Sequence, residues 1–163
     1  MGNWYQKNDK KEDALDYYLK SLALFEKIGD RYYTATTLLS MSNFYISISQ
    51  NEQSLSYIKR AQIYPETINN PELNSFLHYL LSGYYYKNND NEKALENGLI
   101  SLNICRKYNY TRREISTLLF LSTIYFNLDD KEKVIYYSIK ADSLRAKYTD
   151  LQVLKSLSEM EVK

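Results

Sequence analysis

DNEKAL, residues 90–95, is one of four closely similar stretches that decide the fold of this chain. The others are KKEDAL at residues 10–15, QNEQSL at 50–55 and DKEKVI at 130–135, each forty residues after the one before. A tyrosine stands seven residues before the glutamate of each stretch, at Tyr5, Tyr45, Tyr85 and Tyr125. Several positions that recur at one period along the whole chain predict a repeat architecture.

The composition excludes several classes of protein. The 163 residues suit one domain or one compact array, and 21 Lys and Arg balance 20 Asp and Glu, so no net charge attracts nucleic acid or anionic lipid. Four glycines and two prolines predict helix throughout. No apolar run approaches the ~20 residues of a membrane span. We therefore expect no nucleic-acid partner and no direct membrane contact. The opening MGNWYQKNDK lacks the apolar core of a signal peptide, which leaves cytoplasm and periplasm open.

Each forty-residue unit is predicted to form two helices. In residues 31–70, apolar residues follow the i, i+3, i+4 spacing of a buried helical stripe at Leu38, Met41, Phe44, Tyr45 and Ile48. Ser49 and Glu52 then form an S-x-x-E pattern, which predicts a capping box at the start of the second helix. The equivalent pairs are Asp9/Glu12, Asn89/Glu92 and Asp129/Glu132. The recurrent glutamate is therefore predicted to cap a helix and not to catalyse a reaction.

The second helix also repeats a pattern. Its apolar position carries Leu15, Leu55, Leu95 and Ile135, and six residues later come the small residues Ser21, Ala61, Ser101 and Ala141. Small side chains on an apolar face let two helices approach closely. Breaks are predicted after each second helix, at IGD (28–30), INNP (68–71), YNYT (108–111) and YTD (148–150).

These positions resemble the tetratricopeptide repeat family. In that family a large residue, a Leu-Gly pair, a Tyr, an Ala, an aromatic residue and a second Ala recur at set places. The corresponding residues are Met1-Gly2, Tyr5, Ala14, Tyr18 and Ser21; Met41-Ser42, Tyr45, Ser54, Ile58 and Ala61; Leu81-Ser82, Tyr85, Ala94, Gly98 and Ser101; and Leu121-Ser122, Tyr125, Val134, Ser138 and Ala141. Gly98 and Ser138 depart from the pattern, since the family has an aromatic residue there.

The resemblance implies an all-α, right-handed α–α superhelix of antiparallel helix pairs. Residues 1–163 would form a single array, with a partial repeat at 1–30, full repeats at 31–70, 71–110 and 111–150, and a terminal helix at 151–163. We interpret the chain as a fragment of a longer protein. Its forty-residue repeats are longer than the common form of the family and resemble those of bacterial regulatory proteins.

Few residues of this sequence are suited to chemistry. His78 is the single histidine, so a histidine pair for zinc cannot form, and we expect a partly buried side chain with a local hydrogen-bond partner. Cys105 is the single cysteine and is expected to be packed and inert. Arg112-Arg113 and Lys59-Arg60 have acids nearby and are interpreted as solvated faces. We predict no catalytic residue, no metal site and no cofactor, and hence no enzyme.

The resemblance places partner-binding residues on the concave face, which the first helices line. Asn3, Gln6 and Lys7 hold such positions in the first copy. The later copies contribute Leu39, Asn43 and Ile46; Phe76, Tyr79, Leu80 and Tyr86; and Leu119, Phe120, Thr123, Phe126 and Asn127. Because Thr36, Leu39, Asn43, Phe76, Tyr79, Leu80 and Gly83 include no Lys or Arg, the family's clamp for a C-terminal carboxylate is disfavoured.

Five aromatic residues among these positions predict an exposed apolar patch, unless they pack against the adjacent first helix. Together with this patch, the resemblance implies a non-catalytic scaffold that binds a protein or peptide segment in the groove, as the sensory or interaction region of a bacterial signal-transduction regulator. Two alternatives remain: a structural module that forms homodimers through the ends of the solenoid, and a receptor for a small molecule or signalling peptide.

Overall fold

A computed structural model describes residues 2–161, with side chains described over residues 13–152. Within residues 2–161 the chain forms eight helices and no strand. They are α1 (Gly2–Ile28), α2 (Arg31–Ser47), α3 (Asn51–Gln62), α4 (Pro65–Asn69), α5 (Pro71–Lys87), α6 (Asn91–Tyr108), α7 (Thr111–Asn127) and α8 (Lys131–Glu161). None of the helices in the described part is both long enough and apolar enough to cross a membrane.

The helices form successive hairpins: α2 with α3, α5 with α6, and α7 with α8. Helix α1 packs on α2, and the short α4 lies against α2, α3 and α5. The first helices of the hairpins also contact one another, α2 with α5 and α5 with α7. This order confirms the predicted all-α solenoid of helix pairs.

The turn inside each hairpin differs from the predicted capping box. Ser49, Asn89 and Asp129 adopt left-handed backbone angles, with φ of 60°, 61° and 56°. In the first of these turns, the N–H of Ser49 donates to the carbonyl of Ile46 and the N–H of Gln50 donates to that of Tyr45, which is a Schellman motif. The same two bonds recur in the other turns. The predicted cap residues therefore end the first helix and do not begin the second.

The N-caps lie one residue later. The Asp90 carboxylate accepts a hydrogen bond from the N–H of Lys93 at 3.1 Å, and Asp130 accepts from Lys133 in the same way. Gln50, at the equivalent place, makes no side-chain cap bond. Glu52, Glu92 and Glu132 lie in the first turns of their helices, where a negative charge interacts favourably with the helix dipole.

Two predicted helix boundaries are wrong. Helix α1 runs unbroken through the predicted start at Asp9/Glu12, and α8 runs unbroken through the predicted break at 148–150. Neither place has a glycine or proline to end a helix. In α8 the hydroxyl of Thr149 donates to the carbonyl of Arg145 at 3.0 Å, a bond that is compatible with a continuing helix.

The break after α3 begins earlier than predicted, because α3 ends at Gln62 and α4 starts at Pro65. Proline suits the first position of a helix, where its missing N–H costs nothing. The buried Thr67 hydroxyl donates to the carbonyl of Ala61 at 2.6 Å, which ties α4 to the end of α3.

The hairpins bury apolar side chains between them in two clusters. One combines α1, α2, α3 and α5 around Leu38, Met41 and Ile58, and the other combines α6, α7 and α8 around Leu102 and Leu121. The small residues Ala61, Ser101 and Ala141 are fully buried, as their spacing indicated.

A serine at the family's glycine position joins the two helices of each full hairpin. The Ser42 hydroxyl lies 2.9 Å from that of Ser54, Ser82 donates to the carbonyl of Ala94 at 2.6 Å, and Ser122 lies 2.9 Å from Ser138. Buried hydroxyls need such partners. The serines that depart from the family pattern are therefore explained by a hydrogen bond across the hairpin.

Tyrosines recur where the two helices of a hairpin meet. Tyr45 stacks on Tyr57 with ring centroids 5.2 Å apart, and Tyr125 stacks on Tyr137 at 5.3 Å. The third repeat has Asn97 at the place of Tyr57 and Tyr137, and its amide contacts His78 instead.

Gly98 stands where the family has an aromatic residue, and its lack of a side chain allows α6 to approach α7. A Cβ atom at Gly98 would lie 2.8 Å from Leu121 Cδ2 and 3.1 Å from Ser82 Oγ. Leu121 is fully buried and has little room to move. At Gly83, by contrast, an added Cβ would meet Ile46 Cδ1 at an ordinary 3.5 Å.

We expect opposite effects of alanine at these two helical glycines. Gly83→Ala should raise the free energy of unfolding by about 0.5–1 kcal/mol, because alanine is the better helix former. Gly98→Ala should lower it by roughly 1–3 kcal/mol, because the new methyl group overpacks the α6–α7 contact. Urea unfolding followed by circular dichroism measures both. Equal stabilisation by the two substitutions would contradict the close packing at Gly98.

Candidate functional site

The candidate site is the surface formed by α2, α5 and α7, which we call the first-helix face. These helices lie side by side and belong to three successive repeats. The resemblance predicts partner binding on this side. Asn3, Gln6 and Lys7, which the sequence also placed here, lie outside the residues whose side chains the structure describes.

Two of the predicted contact residues are buried. Leu39 is 0% exposed and Leu80 is 1% exposed, and both belong to the cluster between α1, α2, α3 and α5. These leucines lie beneath the surface where α2 and α5 pack together. A partner on the first-helix face therefore cannot contact them in this structure. A period of forty residues locates a helix but does not say which of two adjacent leucines points inward.

The central aromatic residues are only partly exposed. The Phe120 ring on α7 makes edge-to-face contacts with Tyr79 at 5.9 Å and with Tyr86 at 5.4 Å, both on α5. Such pairs add about 0.5–1.5 kcal/mol beyond the area that they bury. Part of the predicted aromatic patch therefore forms a seam of Tyr79, Tyr86 and Phe120 between α5 and α7. Because these rings cover one another, the exposed apolar area is smaller than the area that five fully exposed rings would give. Leu119 and Ile46 are also half-buried.

The polar residues of the face lie around this seam. Asn43 and Thr123 are exposed. The Asn127 amide nitrogen donates to the Tyr86 hydroxyl at 2.9 Å, across the α5–α7 contact. Its amide therefore orients Tyr86, a role that its predicted place on the concave face did not indicate.

Phe126 lies apart from the other aromatic residues. It is 73% exposed and lines a cavity of about 270 Å³ with Asp129, Lys131, Val134 and Ile135. This cavity belongs to the α7–α8 end of the array. Phe126 therefore adds to an apolar end surface and not to the central seam.

Arg112 and Arg113 line the first-helix face, which the sequence analysis did not predict. The Arg113 guanidinium lies 4.1 Å from the centre of the Phe76 ring, and burial lowers the pKa of Arg113. The Arg112 Nε donates to the Tyr148 hydroxyl of α8 at 2.7 Å. The interpretation of this pair as a solvated face is therefore wrong for Arg113.

Both arginines line two cavities. One, of about 280 Å³, is lined by Asn43, Phe76, Tyr79, Arg112, Arg113 and Ser116. The other, of about 350 Å³, is lined by Glu72, Asn109, Tyr110, Thr111, Arg112, Arg113 and Tyr148. Burial raises the pKa of Tyr79 and the nearby Arg113 charge acts against that shift, so the phenol and the guanidinium are close enough to interact.

The remaining candidates for chemistry have structural roles. His78 Nδ1 lies 2.9 Å from the Asn97 side-chain oxygen, which is the local partner predicted for a partly buried histidine. Cys105 is fully buried, and burial raises the pKa of its thiol, as expected for a packed, inert residue. Among the residues that the structure describes, no group of three His, Cys, Asp or Glu side chains is placed to hold a metal ion.

Comparison with known proteins shows that the fold of this chain is similar to that of a solved structure. No family model and no curated protein matches the chain. One solved structure that does match is a Signal Transduction ATPase with Numerous Domains (STAND) protein with a tetratricopeptide repeat sensor, from Pyrococcus horikoshii. The TM-score is 0.66 with 22% identity over 85% of this chain. The fold is a tetratricopeptide-like helical repeat. The match spans only 22% of the STAND chain, so the activity of that whole protein is not transferred.

Proposed function

We propose that this array is a non-catalytic module that binds a segment of a protein or peptide on its first-helix face. The observation that carries the proposal is the seam of Tyr79, Tyr86 and Phe120. Both tyrosine rings contact the Phe120 ring, and all three are partly exposed. Aromatic rings held rigidly on helices offer apolar contact area at a small entropic cost, and such residues dominate binding energy at many interfaces.

The surroundings of the seam suit a polypeptide. Asn43, Thr123 and Ser116 are exposed on the same face, and amide and hydroxyl groups can bond to a peptide backbone. A surface that runs across three adjacent helices can hold an amphipathic helix or an extended segment. The matched solved structure contains tetratricopeptide repeats that are described as a sensor. We extend the proposal accordingly to a sensory role in a signalling regulator, of the bacterial kind that the lengthened repeats resemble.

Selection from a random peptide library displayed on phage tests this proposal with the protein as it is. We expect enriched peptides to shift the backbone NMR signals of residues around Asn43, Tyr79 and Phe120. Residues on the outer side of the second helices, such as Lys59 and Lys140, should not shift. The reason is that the partly exposed rings supply the contact area, whereas the outer faces are charged.

A Phe120→Leu variant provides the matched test, because it keeps an apolar side chain at a half-buried position and removes the ring. Peptide affinity should fall by about fivefold or more, since losing an aromatic anchor at the centre of an interface costs over ~1 kcal/mol. Tyr136→Leu on the exposed side of α8 serves as the control. Enriched peptides that bind Phe120→Leu as well as the unchanged protein would overturn the assignment of the face.

A second candidate function, self-association through an end of the array, is favoured by one observation. Phe126, Ile135 and Ile139 are 73%, 59% and 62% exposed at the α7–α8 end. In the preceding hairpin the equivalent of Ile135 is Leu95, which packs against the core between α6, α7 and α8. A second copy of the chain could cover the α8 side in a similar way.

Sedimentation equilibrium over a dilution series separates this candidate from the first. A dimer that Ile139→Glu abolishes and Phe120→Leu leaves intact would support self-association through the end. A monomer at all concentrations would rule it out. Ile139 is exposed, so the charged substitution should leave the fold intact.

A further inference from the structure

The charge arrangement around Arg113 points to the chemistry of the bound segment. Arg113 lies in the first turn of α7, and its guanidinium carbon lies over the Phe76 ring, 4.1 Å from the ring centre. A guanidinium over an aromatic face still has N–H groups available to donate hydrogen bonds. Part of the side chain is buried, so the cation has lost some of its hydration.

Burial lowers the pKa of Arg113 and the Glu72 carboxylate acts to raise it, but within residues 13–152 this carboxylate forms no ion pair with the guanidinium. No carboxylate of these residues lies within 4 Å of the guanidinium. Glu114, the next residue, pairs with Arg106 on α6 at 3.0 Å. Glu72 lines the larger cavity, and its carboxylate accepts a hydrogen bond of 3.5 Å from Tyr32.

The smaller cavity has no acid at all in its lining. It is lined by Asn43, Phe76, Tyr79, Arg112, Arg113 and Ser116. The Ser116 hydroxyl donates to the carbonyl of Arg112 at 3.1 Å. Arg112 donates one of its five N–H groups to Tyr148, and four remain. The cavity thus offers several hydrogen-bond donors and two positive charges beside an aromatic surface.

The position of the arginines adds to their need for an anion. Thr111, Arg112 and Arg113 are the first residues of α7, where the positive end of the helix dipole disfavours cations. The second residue of α3, α5, α6 and α8 is a glutamate, whereas the first-turn acid of α7 is Glu114, which pairs with Arg106. The two arginines are therefore unfavourably placed with respect to the helix dipole, and an anion in the cavity would offset that effect.

We propose that the small cavity binds an aspartate or glutamate side chain of the captured segment, with Arg113 and Arg112 as its anchors and Phe76 and Tyr79 in contact with an adjoining apolar residue. Arginine matches a carboxylate with two parallel N–H···O bonds. The proposal rests on the proposed function, since the ligand is a polypeptide on the first-helix face. It also differs from the family's C-terminal clamp, because Arg112 and Arg113 lie outside the positions where that clamp needs Lys or Arg.

The test uses the peptides that the random library yields on the unchanged protein. We expect each enriched family to carry an Asp or Glu at a fixed distance from an apolar residue. Replacing that acid by its amide in a synthetic copy should weaken binding by about tenfold or more, as should Arg113→Gln in the protein, because a hydrogen bond to a charged group contributes about 1.5–3 kcal/mol. Isothermal titration calorimetry measures the affinities.

Arg145→Gln is the matched control, since it removes the same charge from an exposed residue of α8 that is paired with Asp142 at 3.4 Å. Circular dichroism establishes that each variant is folded. Arg113→Lys keeps the positive charge but loses the planar guanidinium and its paired N–H donors, so it should bind with intermediate affinity. Enriched peptides without an acid, or acidic peptides that Arg113→Gln binds unchanged, would overturn this inference and leave the proposed function standing. A library that yields no peptide would overturn both.

Discussion

The structure depends on one constraint: a helical hairpin has apolar side chains on more sides than its own two helices can cover. Helix α5 illustrates this, because it contacts α2, α3, α6 and α7 at once. Its residues Leu73, Leu77 and Leu80 are almost completely buried in the cluster that α5 shares with α1, α2 and α3. Its Tyr85 and Tyr86 pack against the cluster of α6, α7 and α8. At about 1.5–3 kcal/mol for each fully buried leucine, the burial of these three leucines needs the preceding hairpin. Stacking is therefore the condition for folding, and the continuous first-helix face follows from it.

The sequence predicts the repeat, the helix pairs and the packing positions well, because these depend on residue type at fixed spacing. Prediction from the sequence fails at the helix ends, because backbone geometry determines where a helix ends. Ser49, Asn89 and Asp129 look like N-caps by composition, but each is the left-handed residue that closes the preceding helix. Helices α1 and α8 continue past predicted breaks because a polar tripeptide such as YTD contains no residue that is incompatible with a helix.

The candidate site was predictable in part. The family positions pointed to Tyr79, Tyr86 and Phe120, which do form a seam. They did not indicate that Leu39 and Leu80 are buried, since depth depends on how closely α5 approaches α2. Arg113 was missed because neighbouring acids in the sequence implied a balanced surface. In the structure Glu114 turns toward Arg106, and only the fold shows that Arg113 forms no ion pair with a described residue and lies over Phe76. A site of this kind arises from contacts between helices that the sequence separates widely.

Native-state hydrogen exchange tests the stacking account most directly, because it measures the free energy of local opening along the chain. In an array whose hairpins stabilise only their neighbours, protection should be greatest in α5 and α6 and should fall toward α1 and toward the part of α8 beyond Tyr148. Leu77→Ala should lower protection in α2 and α5 more than in α8. Equal protection of α1, α5 and α8, with an equal loss everywhere in Leu77→Ala, would show a single cooperative core and contradict the account.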